Sequence, residues 1–449
     1  MAAQILAVII FIVMFGLIIW DHIERHIVSL GCGLLTLVLV FGICMHSEAA
    51  AAETLSLQSF MVPNFWFQTE AAAESSSGIN WATILFIAGM MLMVEGMERA
   101  GFFRWLCLTI AKAVHYKTIP IFISFMLMSA FLAMFIDSIT VILFLAAVTV
   151  ELAHLLHFDP IPMIISEIFC SNLGGSATMC GDPPNIIIGT SLGYSFKDFI
   201  LNTGVATVFV IIVGLICMYF IYGRKLFVTD ESIAKVMQLD ENKAIKDRKL
   251  MHESVIVIIL VALCFIFHDQ LGVQSCTVAI AAACIMLLIG GQEPEEIIAD
   301  VEWPTILFFI GLFIVVGGMK KVGVITMLAN GLISITHGNM VVTMMVILWV
   351  SAIVSSFLDN IPFVATLIPM ILTMQSEGMD VAPIWWALSL GACLGGNGTL
   401  IGASANVVLS GISKNNGHPI TFGQYFKIGF PMMILSIIVC SVFLLIRFA

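Results

Sequence analysis

One stretch of this chain is written twice. Trp81–Leu106 and Trp303–Leu328 begin 222 residues apart and are identical at 11 of 26 positions. The register continues through Ser129-Ala130 and Ser351-Ala352, then through Phe135, Asp137 and Ile139 and their counterparts Phe357, Asp359 and Ile361. After a one-residue slip, Leu173, Gly174, Gly175, Thr178, Gly181 and Asn185 fall on Leu394, Gly395, Gly396, Thr399, Gly402 and Asn406. The copies are apolar runs broken at matched places by Gly, Pro, Asn and Asp. Interrupted hydrophobic repeats of this kind are how secondary transporters build a site at the interface of their halves.

The apolar runs are long enough for that reading. Hydrophobic residues make up 60% of the chain and charged ones 10%, against about 25% charged in a soluble domain. Ten crossings are expected, near residues 4–20, 27–45, 81–97, 161–189, 202–222, 253–268, 275–291, 303–319, 382–411 and 429–447, each approaching the roughly 20 apolar residues that span a bilayer. Two further runs, 118–156 and 339–374, are broken at Asp137-Ser138 and Asp359-Asn360 and read as re-entrant hairpins or pairs of short crossings. The first run lacks a basic flank and a small-residue cleavage site, so it reads as a retained helix and not a signal peptide. The eleven cysteines form no Cys-x-x-Cys pair and sit mostly in apolar segments, as small hydrophobes do. His22, His26, His154 and His157 lie at helix ends, with no carboxylate or thiol motif to suggest a metal site. No basic stripe suits nucleic acid, although the net charge is −11.

The basic residues orient the chain. With the N-terminus outside, 14 of the 18 Lys and Arg fall on the cytoplasmic side, seven of them between Arg224 and Lys249. Lys197, Lys320, Lys321 and Arg447 fall outside, and the 46–80 loop contains none. Five crossings plus one hairpin per half is an odd number, so the halves face opposite ways. The expected fold is an all-α polytopic membrane protein, multi-pass in a bacterial-type plasma membrane. Residues 1–222 form one inverted repeat, 223–252 a cytoplasmic linker and 253–449 the second repeat. Segments 102–116 and 415–428 mix apolar and charged residues, as interfacial amphipathic helices do.

The candidate site residues lie where the runs break. Asp137, Ser138 and Thr140 interrupt the first hairpin, and Asp359 and Asn360, followed by Pro362, interrupt the second. A mid-membrane carboxylate costs about 2.5–3.5 kcal/mol on insertion scales, and capping the second arm is its structural alternative. Glycine-rich breaks follow: Asn172, Gly174, Gly175, Ser176, Thr178, Asp182 and Asn185 in one half, Gly395, Gly396, Asn397, Thr399, Ser404 and Asn406 in the other. Unwound backbone at membrane depth is tolerable only where it lines a protein-walled cavity. Its oxygens suit Na⁺ and its helix N-termini an anion; small residues for close helix packing would explain Gly-Gly but not Asn and Asp. Asp182 faces Ala403 in the repeat, so the half-sites are unequal. Glu95 lies near Arg99 and reads as ion-paired, whereas Glu167 is a candidate proton carrier.

At these motifs the chain resembles the ion transporter superfamily, and in particular its arsenite permease and melanosomal P-protein branch. The resemblance rests on Ser171–Asn185 and Phe357–Phe363 and spans nearly the whole chain. It implies two hairpins, a homodimer and elevator-type movement, with a scaffold near residues 1–100 and 253–320 and a transport domain near 101–222 and 321–449. In the related dicarboxylate–sodium symporters, Ser-Asn-Thr hairpin tips hold sodium and substrate. Here those places carry added carboxylates, which fit a proton- or cation-handling site. The expected function is secondary active transport of a small ion: an anion, arsenite-like or organic, coupled to H⁺ or Na⁺. Na⁺/H⁺ antiport and an ion channel are the competing readings. Cys170 and Cys180 flank the first break, but tight thiolate capture of an arsenic species would hinder its release. No cofactor is implied beyond bound Na⁺, and no nucleophile–base set suggests an enzyme.

Overall fold

A computed structural model describes residues 2–20, 22–67, 78–223, 226, 241–289, 293–358, 360–415 and 417–449. Asp359 and most of the 223–252 linker lie outside the described residues, and the linker's far end forms a short 3₁₀ turn, Glu241–Ala244. The described residues are helical, with one isolated bridge between Phe67 and Val273. Among them, seven helices are long and apolar enough to cross a bilayer. Shorter apolar helices account for other expected segments, Ala2–Ile18, Ile161–Gly175 and Ser275–Leu288 among them, and the segment 382–411 holds Ala382–Gly395 and Ser404–Asn415. The chain is an integral, multi-pass membrane protein.

The repeat register is reproduced in the packing. Trp81–Ala100 packs along Ser275–Ile289, and its counterpart Trp303–Lys321 packs along Arg25–Leu35. Each helix is therefore seated in the opposite half. The glycine preserved in both copies explains how the helices come so close. A Cβ on Gly89 would lie 2.7 Å from the backbone of Ala279, and one on Gly311 would drive into the backbone of Ser29. Small residues at such crossings let backbones meet where lipid offers no hydrophobic drive.

A second group of helices encloses the breaks. Thr118–Ala133 and Ser138–Leu156 form the first hairpin, Met340–Ser355 and Asn360–Ser376 the second. Behind them stand Ile161–Gly175 and Ala382–Gly395, in which every residue from Pro162 and from Pro383 onward is buried. Both are apolar nearly all round, the pattern of a helix surrounded by protein. Each then unwinds and restarts, at Pro183–Leu192 and at Ser404–Asn415. Pro183 at the first helical position suits a restart, since its missing N–H is one that the first turn leaves unpaired. The first hairpin's outgoing arm packs on Ser404–Asn415, and Pro183–Leu192 packs on Asn360–Ser376, so these halves are also interleaved. Contacts between this group and the first are sparse by comparison.

The two segments expected as amphipathic helices come out differently. Residues 102–116 contain the helix Phe102–Ala113, held by Arg104 to Glu151 at 2.7 Å. The segment 415–428 is not a separate amphipathic helix: Ser404–Asn415 runs up to it and Phe422–Phe448 starts inside it. A capping box starts that last helix upstream of its apolar run, with Gln424 N donating to Thr421 Oγ1 at 3.3 Å and Thr421 N to Gln424 Oε1 at 2.9 Å. The second half also has a counterpart of Phe102–Ala113, Val324–Ile335, bent by 118° from Met340–Ser355.

Candidate functional site

The two unwound segments are held open by their asparagines. Asn185 donates to the carbonyls of Gly175, Ser176 and Thr178 at 3.2, 3.3 and 2.9 Å. Asn406 does the same in the other half, to Gly396 and Thr399 at 2.8 and 3.0 Å. Both side chains are fully buried, and they supply the partners that a helix would otherwise give these carbonyls. Thr178 and Thr399 reach across to the hairpin ends, bonding the carbonyls of Met134 and Ser356. The halves then cross-link. Asn172 donates to Asn406 Oδ1 at 3.1 Å, and Cys393, at the matching position, donates to Asn185 Oδ1 at 3.4 Å. Asn172 also reaches Asn397 Oδ1 at 2.9 Å, and Asn397 returns a bond to Phe169 O at 3.3 Å. Ser176 is used internally, on Leu173 O and Thr207.

In front of this framework lies a cavity of about 80 Å³. Seven of the expected residues line it: Asp137, Ser138, Thr140, Asn172, Asp182, Asn360 and Ser404. The starts of four helices, at Ser138, Pro183, Asn360 and Ser404, converge on it. Gly174, Gly175, Ser176, Thr178, Asn185, Gly395, Gly396, Asn397, Thr399 and Asn406 stand behind, buried in the loops that shape it. Glu302 and Thr305 also line the cavity and were not anticipated. The repeat register held a signal for Glu302: it falls on Asn80, another polar residue just ahead of a matched Trp. Arg25 stands behind Ser404, donating to its Oγ at 3.2 Å.

The two aspartates of the first half behave differently. Asp137 caps its helix, Oδ2 accepting from Ile139 N at 3.0 Å, so the capping role applies to it while it also lines the cavity. Asp182 occupies the N-cap position of Pro183–Leu192 but makes no side-chain capping bond. Its carboxylate accepts from Asn360 Nδ2 of the second hairpin at 3.1 and 3.4 Å. Beside it, Ser138 Oγ is buried with no hydrogen-bond partner among the described residues. Ser138 Oγ and the Asp182 side chain both crowd Gly175, where a Cβ would come within 3.2 and 3.3 Å of them. Asn360, the repeat counterpart of Ser138, is thus turned toward the first half, and Ala403 leaves the second half without a matching acid.

The other candidates fall elsewhere. Glu95 accepts from Arg99 Nε at 3.1 Å, and Arg99 also binds Glu296 at 2.7 Å and Asp300, tying Trp81–Ala100 to Pro294–Asp300. Glu167 is fully buried away from the cavity; its Oε1 accepts from Thr149 at 2.6 Å and its Oε2 has no partner among the described residues. Cys180 lines the cavity, whereas Cys170 is buried outside it.

Residues 15–391 match the family described as citrate transporter. This chain belongs to the citrate transporter family. It is a membrane transporter. An uncharacterized transporter of Mycobacterium tuberculosis is 38% identical over 376 residues, covering 83% of this citrate transporter family member and 87% of the relative. A 46 kDa membrane protein of Mycobacterium leprae is 32% identical over 99% of both chains. The human P protein is 29% identical, covering 82% of this chain and 54% of the P protein, in line with the resemblance to that branch. Among solved structures, the YdaH transporter of Alcanivorax borkumensis aligns with a TM-score of 0.60 over 96% of this chain and 97% of its own, at 13% identity. That likeness is one of fold.

Proposed function

We propose that this transporter carries a small organic anion of the citrate type together with a cation, H⁺ or Na⁺, through one site reached alternately from the two sides. A charge contrast in one cavity carries the reading. Four helix starts, whose dipoles favour an anion, converge with Asp137, Asp182 and Glu302, which favour a cation. No Lys or Arg lines the cavity among the described residues. A bare polycarboxylate would meet only like charge among the side chains, whereas anion and cation together satisfy both sets. The cation has a natural place at Asp182, Asp137 and the unpartnered Ser138 Oγ; the anion lies across the N-termini of both halves.

In this reading the interleaved breaks and hairpins move as one body against the helices joined at Gly89 and Gly311, because contacts between the two groups are sparse. The cavity lies beside Glu302 and behind Arg25, both on the cytoplasmic side by the distribution of basic residues. The opposite side is held together by hydrogen bonds: Asn80 donates to Ser191 at 3.0 Å and to Thr190 at 3.2 Å, and Thr83 pairs with Thr190 at 2.7 Å. In this reading the arrangement is an inward-facing state.

Proteoliposomes with imposed Na⁺ and H⁺ gradients test this, using citrate, shorter carboxylates and arsenite as substrates while internal pH is followed. Saturable carboxylate uptake driven by an inward cation gradient is the expected result, with Glu302→Gln changing its cation dependence. Na⁺-driven proton movement without any anion would instead establish an antiporter, which the acid-only side-chain lining also accommodates. Flux that neither saturates nor responds to an opposing gradient would establish a channel.

A further inference from the structure

A second, smaller cavity of about 30 Å³ lies between Trp303–Lys321, Pro183–Leu192 and Asn360–Ser376, on the side held by those hydrogen bonds. Its polar lining is Lys320, Asn80 and Ser191. Lys320 is half-buried there and, among the described residues, has no carboxylate within ion-pair distance and makes no hydrogen bond. Its neighbour Lys321 shows the ordinary fate of a lysine at a helix end, reaching outward to Glu53. The repeat register places Lys320 opposite Glu98. The first cavity carries the carboxylates Asp137, Asp182 and Glu302, whereas this one carries an uncompensated ammonium. A half-buried ammonium between helices is costly unless something negative comes to it.

We propose that Lys320, with Asn80 and Ser191, forms a docking site for a small oxyanion at the outer mouth, where a carboxylate or phosphate group is captured before the moving body closes over it. The inference rests on the transport reading above for its direction, but not for the site itself. The ammonium supplies the charge, and the amide and hydroxyl supply donors once the Asn80–Ser191 bond opens. Docking and opening are then linked, because the anion competes for the Asn80 amide that holds Ser191 and Thr190 on this side.

The binding test uses the intact protein in vesicles with the outer face exposed. Modification of Lys320 by an impermeant amine-reactive ester is followed by mass spectrometry with citrate, inorganic phosphate or chloride at matched ionic strength. Citrate or phosphate should slow modification well beyond chloride. Protection no greater than that of chloride would overturn the site, and this holds even if the protein moves no carboxylate. For transport, Lys320→Gln should raise the outer half-saturation for citrate about tenfold, the loss of one charge-assisted bond, while the inner half-saturation stays unchanged and Lys320→Arg restores the outer value. Equal shifts on both faces, or no rescue by Arg, would mean that Lys320 only packs.

Discussion

Replacing Asn185 by Ala removes one amide that serves three backbone carbonyls of the unwound segment, at 3.2, 3.3 and 2.9 Å. The amide has two N–H groups to share among the three carbonyls, so at a net of roughly 1 kcal/mol per bond the donor side contributes about 2 kcal/mol. Carbonyls that find no new donor push the loss higher, by about 1–3 kcal/mol apiece. Ser389, which donates to Asn185 Oδ1 at 2.6 Å, loses its acceptor as well. Asn185→Asp separates the causes. It keeps the size and the acceptor but turns the donor into an oxygen aimed at three carbonyls, so it should cost at least as much. The partner variant, Asn406→Ala, removes two carbonyl bonds and should cost about 2 kcal/mol. Reversible unfolding in bicelles by steric trapping measures all three. Values within about 0.5 kcal/mol of the wild type, the range of an ordinary surface change, would refute the idea that these asparagines hold the unwound segments open.

Asp182→Ala copies Ala403 of the other half and leaves Asn360 without its acceptor; it should fold and keep substrate exchange while losing gradient-driven uptake, measured side by side. Equal loss or equal retention of both would remove Asp182 from coupling. Glu167→Gln should leave the dependence of flux on the H⁺ gradient unchanged, because Glu167 lies away from the cavity with Thr149 as its partner; an internal-pH trace that loses its proton signal would make Glu167 a carrier after all. Gly311→Ala forces a methyl against the backbone of Ser29 and should destabilise by about 1–3 kcal/mol, as overpacking does. Gly331→Ala, where a Cβ has open space, is the control for that unfolding measurement.

Much of this was legible in the residues because a membrane gives polar interruptions few meanings. A carboxylate or a Gly-Gly pair inside an apolar run has to be a break, and Asp137, Gly175 and Gly396 lie at breaks in the helices. The repeat register matched not only segments but bonds: Thr178 and Thr399 reach equivalent carbonyls. What periodicity could not give was convergence. Glu302 reaches the cavity from an interfacial segment far from Asp137 in the chain, and no local pattern records that meeting. Nor could composition separate Asp182, which bonds across to Asn360, from Asp137, which caps its own helix. Ser176 and Thr178 looked like site oxygens and turn out to be committed to the framework. The difference at 415–428 has a similar source: a capping box fixes the helix start where hydropathy alone suggests an interface.

The exchange of partners at Gly89 and Gly311 has a consequence for how such a chain is made. Trp81–Ala100 finds its neighbour only when Ser275–Ile289 has been synthesised, and Arg25–Leu35 waits longer still for Trp303–Lys321. The N-terminal portion therefore leaves the ribosome as an incomplete surface, with Gly89 left without its partner until the remainder arrives. A gene cut between codons 223 and 241 should yield two polypeptides that are each degraded when expressed singly, yet complement one another when made together, like the strands of a split reporter.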